Sequence, residues 1–205
     1  MTIYTLPHGL VDSNSYIISD GLDCVIIDCG VKAKDVLQVI EKNSLNPRYI
    51  ILTHGHFDHV YHVKPLKDAT NAKVCLHESE VDLYRDPDKN GFSMFGMARE
   101  MNLPQPDQLL NDGLVLEAGT LKLNIIHTPG HTQGSICILA ENYLFSGDTL
   151  FSMSVGRTDL PSGSSKSLHD SITKKLFTLD DEVTVYPGHG SKTTIGYEKA
   201  NNPYV

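Results

Sequence analysis

Tryptophan is absent from the 205-residue chain, and only four cysteines occur. Cys24, Cys29, Cys75 and Cys137 form no Cys-x-x-Cys pair and keep no regular spacing. They read as reduced, structural thiols rather than a disulfide framework. Cys29 alone lies near a candidate site and is the one thiol to weigh as a ligand. No Lys/Arg run or basic stripe is present, net charge is -8 and the pI is about 5.6. That excludes the electrostatic footprint of a nucleic-acid binder. No apolar run approaches membrane-spanning length. The start, Met1-Thr2-Ile3-Tyr4-Thr5-Leu6-Pro7, lacks the charged and apolar regions of an export signal, so a cytoplasmic protein is expected. A phosphate-binding P-loop, a Gly-x-Gly-x-x-Gly fingerprint and a Gly-x-Ser-x-Gly elbow are also missing. Chemistry therefore has to come from elsewhere.

It comes from Thr53-His54-Gly55-His56-Phe57-Asp58-His59, where four potential ligands fall within six residues. The preceding Tyr49-Ile50-Ile51-Leu52 is short, apolar and β-prone, so the ligands begin where a strand ends. His54 and His56, two apart, face the same side of extended chain. Gly55 between them frees the backbone to turn. Asp58 and His59 follow after a further turn and point back from another direction. Imidazole and carboxylate together suit zinc, iron and similar ions.

Short β-prone runs at 2–6, 15–19, 24–28, 48–53 and 73–76 alternate with helical spacing at 34–42, 65–68 and 78–85. Asp20-Gly21 marks a turn between the second and third strands. Residues 86–106 are the least regular stretch, with Phe92, Phe95, Met94, Met97 and Met101, and they read as a surface excursion with a helix near 94–101. Strands return at 114–116, 121–126, 135–140, 143–145 and 183–186, with a helix at 167–178. No linker divides the chain, so one domain over 1–205 is expected. Each half runs strands, helix, strand, which hints at two similar layers.

Three further candidates each follow a strand and a glycine: His131 in Pro129-Gly130-His131, Asp148 in Ser146-Gly147-Asp148, and His189 in Pro187-Gly188-His189. Loops leaving strand ends converge at one edge of packed sheets, where sites form on rigid scaffolds. The sum is five histidines and two aspartates, too many for one tetrahedral ion and enough for two. His54, His56 and His131 would hold one, Asp58, His59 and His189 the other, with Asp148 between. Asp58 is also the candidate proton acceptor. A hydroxide held between the ions would be the nucleophile, since coordination lowers the pKa of water from ~15.7 toward ~7. Asp28 reads as an acceptor for the ligand loop. His62 and His127 lie close enough in sequence for supporting roles. His8, His77 and His169 carry no signal.

His54-x-His56-x-Asp58-His59, then His131, Asp148 and His189, resembles the metallo-β-lactamase-like hydrolase superfamily over nearly the whole chain. The resemblance implies an α/β fold, a four-layer αββα sandwich with the metals at one edge of the sheets. Asp28-Cys29-Gly30, His127-Thr128-Pro129-Gly130-His131-Thr132, Gly147-Asp148-Thr149 and Tyr186-Pro187-Gly188-His189-Gly190 resemble the compact glyoxalase II-like branch. That implies two divalent ions, zinc first with iron or manganese as alternatives, and a small-molecule thioester or acyl ester as substrate. A hydroxyacylglutathione-type thioester is one member of that class. Tyr61-His62 stands where relatives often have Gly-Gly, and no added helical domain follows His189. His56 where a flavodiiron protein would have Glu, and His59 where zinc β-lactamases tend to have Arg, point away from those branches. Two alternatives remain open. Gly156-Arg157-Thr158-Asp159 is shared with persulfide dioxygenases, whose single iron would sit on His54, His131 and Asp148. A non-catalytic metal-binding module is the other.

Overall fold

Side-chain alternation along the strands sets the number of layers. The computed structural model describes residues 1–205. Its first half runs β1 (Thr2–Leu6), β2 (Ser15–Ser19), β3 (Asp23–Ile27), α1 (Ala33–Lys42), β4 (Asn46–Ile51), α2 (Phe57–Val60), α3 (Val63–Thr70), β5 (Lys73–His77), α4 (Val81–Arg85) and β6 (Gln108–Leu110). The second half runs β7 (Val115–Ala118), β8 (Leu121–His127), β9 (Ile136–Ala140), β10 (Tyr143–Gly147), β11 (Leu150–Phe151), β12 (Ser154–Val155), α5 (Ser165–Lys174), β13 (Thr184–Pro187), β14 (Thr193–Thr194) and α6 (Ile195–Asn201). Two six-stranded sheets result, ordered β1-β2-β3-β4-β5-β6 and β14-β13-β10-β9-β8-β7.

Both sheets follow one plan. An antiparallel meander is extended by strands added in parallel after helical crossovers: β3 to β4 across α1, and β10 to β13 across α5. Parallel neighbours require such crossovers. In β3, Cys24 and Ile26 join Val36 and Ile40 of α1 in an outer core. The intervening Val25 and Ile27 join Leu123, Ile136 and Phe145 between the sheets. In the second sheet, Cys137 and Leu144 turn outward onto Leu168 and Ile172 of α5. The period-2 pattern thus builds helix, sheet, sheet, helix, the αββα sandwich.

Two helical expectations need correction. The stretch 94–101 is not a helix: only a single 3-10 turn, Ala98–Glu100, forms there, because Gly96 sits at φ +72° in the middle. The helix expected to run to Thr178 ends at Lys174, and a separate 3-10 turn spans Leu176–Thr178. α3 is longer than the run 65–68, and it accepts Pro65 because no intrahelical N–H is needed in the first turn. The short strands β6 and β14 and the helix α6 had no legible periodicity. No helix is long and apolar enough to cross a membrane.

Tyr16 ties the core to the functional edge. Its ring packs edge-on against Phe145, centroids 5.2 Å apart, and its hydroxyl donates to the Pro187 carbonyl at 2.6 Å. Phe145 is fully buried between the sheets. Phe145→Ala is expected to lower the unfolding free energy by about 3–5 kcal/mol, checked by urea denaturation with the slope unchanged. A loss below ~1 kcal/mol would show that the inter-sheet layer repacks around the gap.

Candidate metal centre

All four ligand-bearing loops leave strand ends at one edge of the sandwich. His54 and His56 follow β4, and Asp58 and His59 open α2. His131 lies between β8 and β9, Asp148 follows β10, and His189 follows β13. The parallel pairing of β10 with β13 sets Asp148 beside His189. The two sheets meet here directly, as the Ile136 N–H donates to the Thr53 carbonyl at 2.9 Å. Glycine is required at two of the turns. Gly147 has φ +49°, and a Cβ there would lie 2.5 Å from Thr53 Oγ1. A Cβ at Gly188 would lie 2.1 Å from Asp148 Oδ1.

The structure brings all seven predicted residues together. Their donor atoms form three groups, each within 4.8 Å: His54, His56 and His131; Asp58, His59 and His189; and His54, His59 and Asp148. Asp148 spans the first two groups. Its Oδ1 is 3.4 Å from His59 Nε2, and its Oδ2 is 3.6 Å from both His131 Nε2 and His189 Nε2. His56 Nδ1 lies 2.9 Å from His131 Nε2, and His59 Nε2 lies 3.3 Å from His189 Nε2.

Hydrogen bonds behind the cluster fix which nitrogens face it. Thr53 Oγ1 donates to Asp28 Oδ2 at 2.8 Å, so it accepts from His54 Nδ1 at 3.1 Å. His59 Nδ1 donates to Asp28 Oδ2 at 2.8 Å, and His131 Nδ1 donates to the Arg157 carbonyl at 2.8 Å. Each bond leaves an Nε2 lone pair directed into the cluster, the arrangement a metal-binding imidazole needs. His54 Nε2, His56 Nε2 and Asp148 Oδ1 are buried and have no hydrogen-bond partner. Buried polar atoms left unpaired cost free energy, so His54 Nε2 and Asp148 Oδ1 fit an ion, whereas His56 presents its Nδ1 to the cluster. The donor set, nitrogen and carboxylate oxygen, fits a divalent transition metal.

The two triads differ in charge. Burial and neighbouring imidazoles hold His54 well below the usual histidine range and His56 at about 3. Burial also lowers His131, though Asp148 opposes it. This triad is neutral and ready to ligate. In the other, burial disfavours the charged form of His59, but Asp148, Asp58 and Asp28 outweigh it and raise the group to about 10. Burial likewise opposes charge on His189, and Asp58 and Asp148 raise it. Burial pushes Asp58 up, yet His59 and His189 bring it down to about 2. Without an ion, a proton on His59 supplies the cation these carboxylates require.

Other sequence candidates lie elsewhere. Cys29 sits in the outer core with its thiol pushed up by burial, outside the ligand groups. The His127 ring stacks on His77 at 4.0 Å and bonds the Gln133 carbonyl. His62 packs edge-on to Tyr61, and the Tyr61 hydroxyl donates to Glu100. Asp28 does accept from the ligand loop, through Thr53 N at 2.8 Å as well as the bonds above.

Two supporting residues escaped the sequence reading. Glu80 is fully buried and accepts from Gly55 N at 2.8 Å, Gly134 N at 2.7 Å and Thr132 Oγ1 at 2.9 Å. It clamps the His54–His56 turn to the His131 loop, although in sequence it was one of several acidic residues at a helix start. Asn14 Nδ2 donates to the Pro187 and Gly190 carbonyls, both at 3.0 Å, and so grips the His189 loop.

The family model of the metallo-beta-lactamase superfamily matches residues 8–189. The chain belongs to that superfamily. It is 36% identical to the hydroxyacylglutathione hydrolase GloC of Haemophilus influenzae, over all of this chain and 98% of that protein. Among solved structures of this superfamily fold, BLEG-1 B3 metallo-beta-lactamase superposes with a TM-score of 0.92 at 37% identity, covering 99% of both chains. TTHA1623 in a di-iron-bound form gives 0.84 at 35% identity, covering 98% of this chain and all of that one. ETHE1 from Myxococcus xanthus gives 0.82 at 29% identity, covering 99% of this chain and 84% of that one. GloC agrees with the glyoxalase II-like motifs.

Two outcomes follow from this superfamily site. Protons compete with ions for imidazole. His59, raised to about 10, takes its proton back early on acidification, whereas His56, held at about 3, does so late. A proton therefore competes for the Asp58–His59–His189 triad from about pH 10 downward, and an ion held there is expected to leave before one on His54, His56 and His131 as pH falls, followed by metal analysis after dialysis at stepped pH. Release of both ions in one step would contradict the asymmetry. Glu80→Ala strands three buried donors and is expected to cost about 2–4 kcal/mol and lower the ion content, with Glu80→Gln milder. An unchanged ion content in both variants would remove the clamp.

Proposed function

We propose a binuclear metal-dependent hydrolase of acyl thioesters or related esters. Seven donors in two triads joined by Asp148 carry this reading. His54, His56 and His131 would hold one ion and Asp58, His59 and His189 the other, with zinc the first choice and iron or manganese alternatives. Bound ions would supply Lewis acidity, which makes hydroxide available near neutral pH and polarises an acyl carbonyl. The chain's own groups supply the rest. Asp58 borders the cavity over the cluster and stays ionised, so it accepts and orients a proton of the attacking water rather than retaining it. Asp28 and the Arg157 carbonyl keep His59 and His131 in their ligating tautomers. Phe57, Phe151 and Leu160 give the cavity an apolar wall beside the cluster. In the net reaction the acyl–sulfur or acyl–oxygen bond breaks, water oxygen joins the acyl carbon, and the thiol or alcohol leaves with a proton.

Likeness to GloC supports a hydroxyacylglutathione-type thioester. Likeness to ETHE1, with Gly156–Asp159, favours a second reading, a one-iron persulfide dioxygenase. Likeness to BLEG-1 makes a β-lactam the third compound to assay, despite His59.

The test is metal content per chain on protein purified without added metal, with lactoyl-glutathione hydrolysis on the same sample. Close to two ions with turnover is expected, and Asp58→Ala should cut that turnover about 100-fold or more. One iron, no thioester turnover and oxygen uptake with glutathione persulfide would replace the hydrolase by the dioxygenase. Cleavage of a chromogenic β-lactam alone would shift the substrate class.

A further inference from the structure

The cavity over the cluster measures about 360 Å³, at the small end of ligand sites. His56, Asp58, His131, Asp148 and His189 form its floor. Val11, Phe57, Met94, Phe95, Phe151 and Leu160 form an apolar part of its wall, and Asp88, Lys89, Asn90 and Arg157 complete the lining. Three of these are unusually exposed for their type, Met94 at 67%, Val11 at 56% and Phe95 at 51%. Exposed apolar side chains gathered around a polar floor mark a surface that meets a ligand. Phe95 is backed by Phe57, ring centroids 4.4 Å apart, so it stands as a fixed wall.

Val11 is held there against its backbone preference. It has φ +54°, a left-handed conformation that is an outlier for a β-branched residue. The loop is pinned on both sides. Leu10 N donates to the Gly30 carbonyl at 3.2 Å, and Ser13 Oγ donates to the Asp58 carbonyl at 2.8 Å. Strain that the surroundings enforce beside a site points to a role there.

The cations near this cavity are already paired. Arg157 makes two 2.7 Å bonds to Asp159, and Lys89 lies 3.1 Å from Asp86. Asp88 adds negative charge to the same rim. An arm bearing two carboxylates, such as glutathione, would have to draw Arg157 or Lys89 away from Asp159 or Asp86 and would meet the carboxylate of Asp88 on the same rim. A neutral hydrocarbon arm meets three exposed apolar side chains.

Resting on the hydrolase reading, we infer that the substrate is a thioester or ester with a neutral apolar arm, aliphatic or aromatic, seated against Val11, Met94 and Phe95. The arm sits on either the acyl or the leaving-group side of the scissile bond, and the experiment separates the two.

One series varies the acyl chain on N-acetylcysteamine: acetyl, butanoyl, hexanoyl and phenylacetyl. A second varies the leaving thiol on acetyl: methyl, butyl and benzyl. In one series kcat/KM is expected to rise about threefold to fourfold per added methylene until the wall is covered. The series that rises identifies the side. Phe95→Ala and Met94→Ala should flatten the rise. Val11→Gly, which removes the strain with the side chain, keeps the comparison valid if the others fold poorly. Hydrolysis with no dependence on either arm overturns the inference and leaves the hydrolase reading standing. If no member is hydrolysed while lactoyl-glutathione is, the inference is overturned and the hydrolase reading stands; if neither is hydrolysed, that reading fails, and calorimetry on protein loaded with two equivalents of zinc decides the inference. Hexanoate binding at least tenfold tighter than acetate supports it, and equal binding overturns it.

Discussion

Buried negative charge is the constraint on which this structure depends. Asp28, Asp58 and Asp148 surround the fully buried His59, and carboxylates out of water need a cation or a dense set of donors. Asp28 obtains its donors from Thr53 and His59. Asp148 has only ligand imidazoles around it, with Oδ1 left unpaired. The fold therefore contains a place whose electrostatics are completed from outside the chain. The neighbouring triad of His54, His56 and His131, whose protonated forms burial disfavours, adds three nitrogen donors to that place.

The two sheets exist in this form to meet that demand. Each is an antiparallel meander extended by a parallel crossover, and parallel extension puts several strand ends side by side. Two such pairs matter most. β3 delivers Asp28 next to the loop of β4, and β10 delivers Asp148 next to the loop of β13. Tyr16 and the Thr53–Ile136 bond then lock the two edges in register.

Much of this was legible in the sequence, and the reasons are physical. His54, His56, Asp58 and His59 stand out because ligand density is improbable by chance, and His131, Asp148 and His189 because each follows a strand and a glycine. The αββα layers came from the family resemblance, since runs such as Cys24–Ile27 are apolar at every position and show no alternation until the structure splits them between two cores. Glu80 was not legible, because its three donors come from Gly55, Thr132 and Gly134, far away in sequence. Neither was the position of Val11: nothing local predicts a β-branched residue at positive φ. The excursion 86–106 was recognised as irregular, but its expected helix failed on Gly96. Its placement over the cluster comes from tertiary packing of Phe95 on Phe57.

The split of donors between the halves has a consequence for how the chain holds together. The first sheet's loops contribute His54, His56, Asp58 and His59, and the second sheet's contribute His131, Asp148 and His189. Neither half owns a complete set. An ion shared by both is thus a removable cross-link between distant parts of the polymer, closing a loop that spans most of the chain. Such a link stabilises by narrowing the unfolded ensemble, and long loops gain most from it. Supply of the ion would then govern how long the folded chain persists as well as whether it reacts.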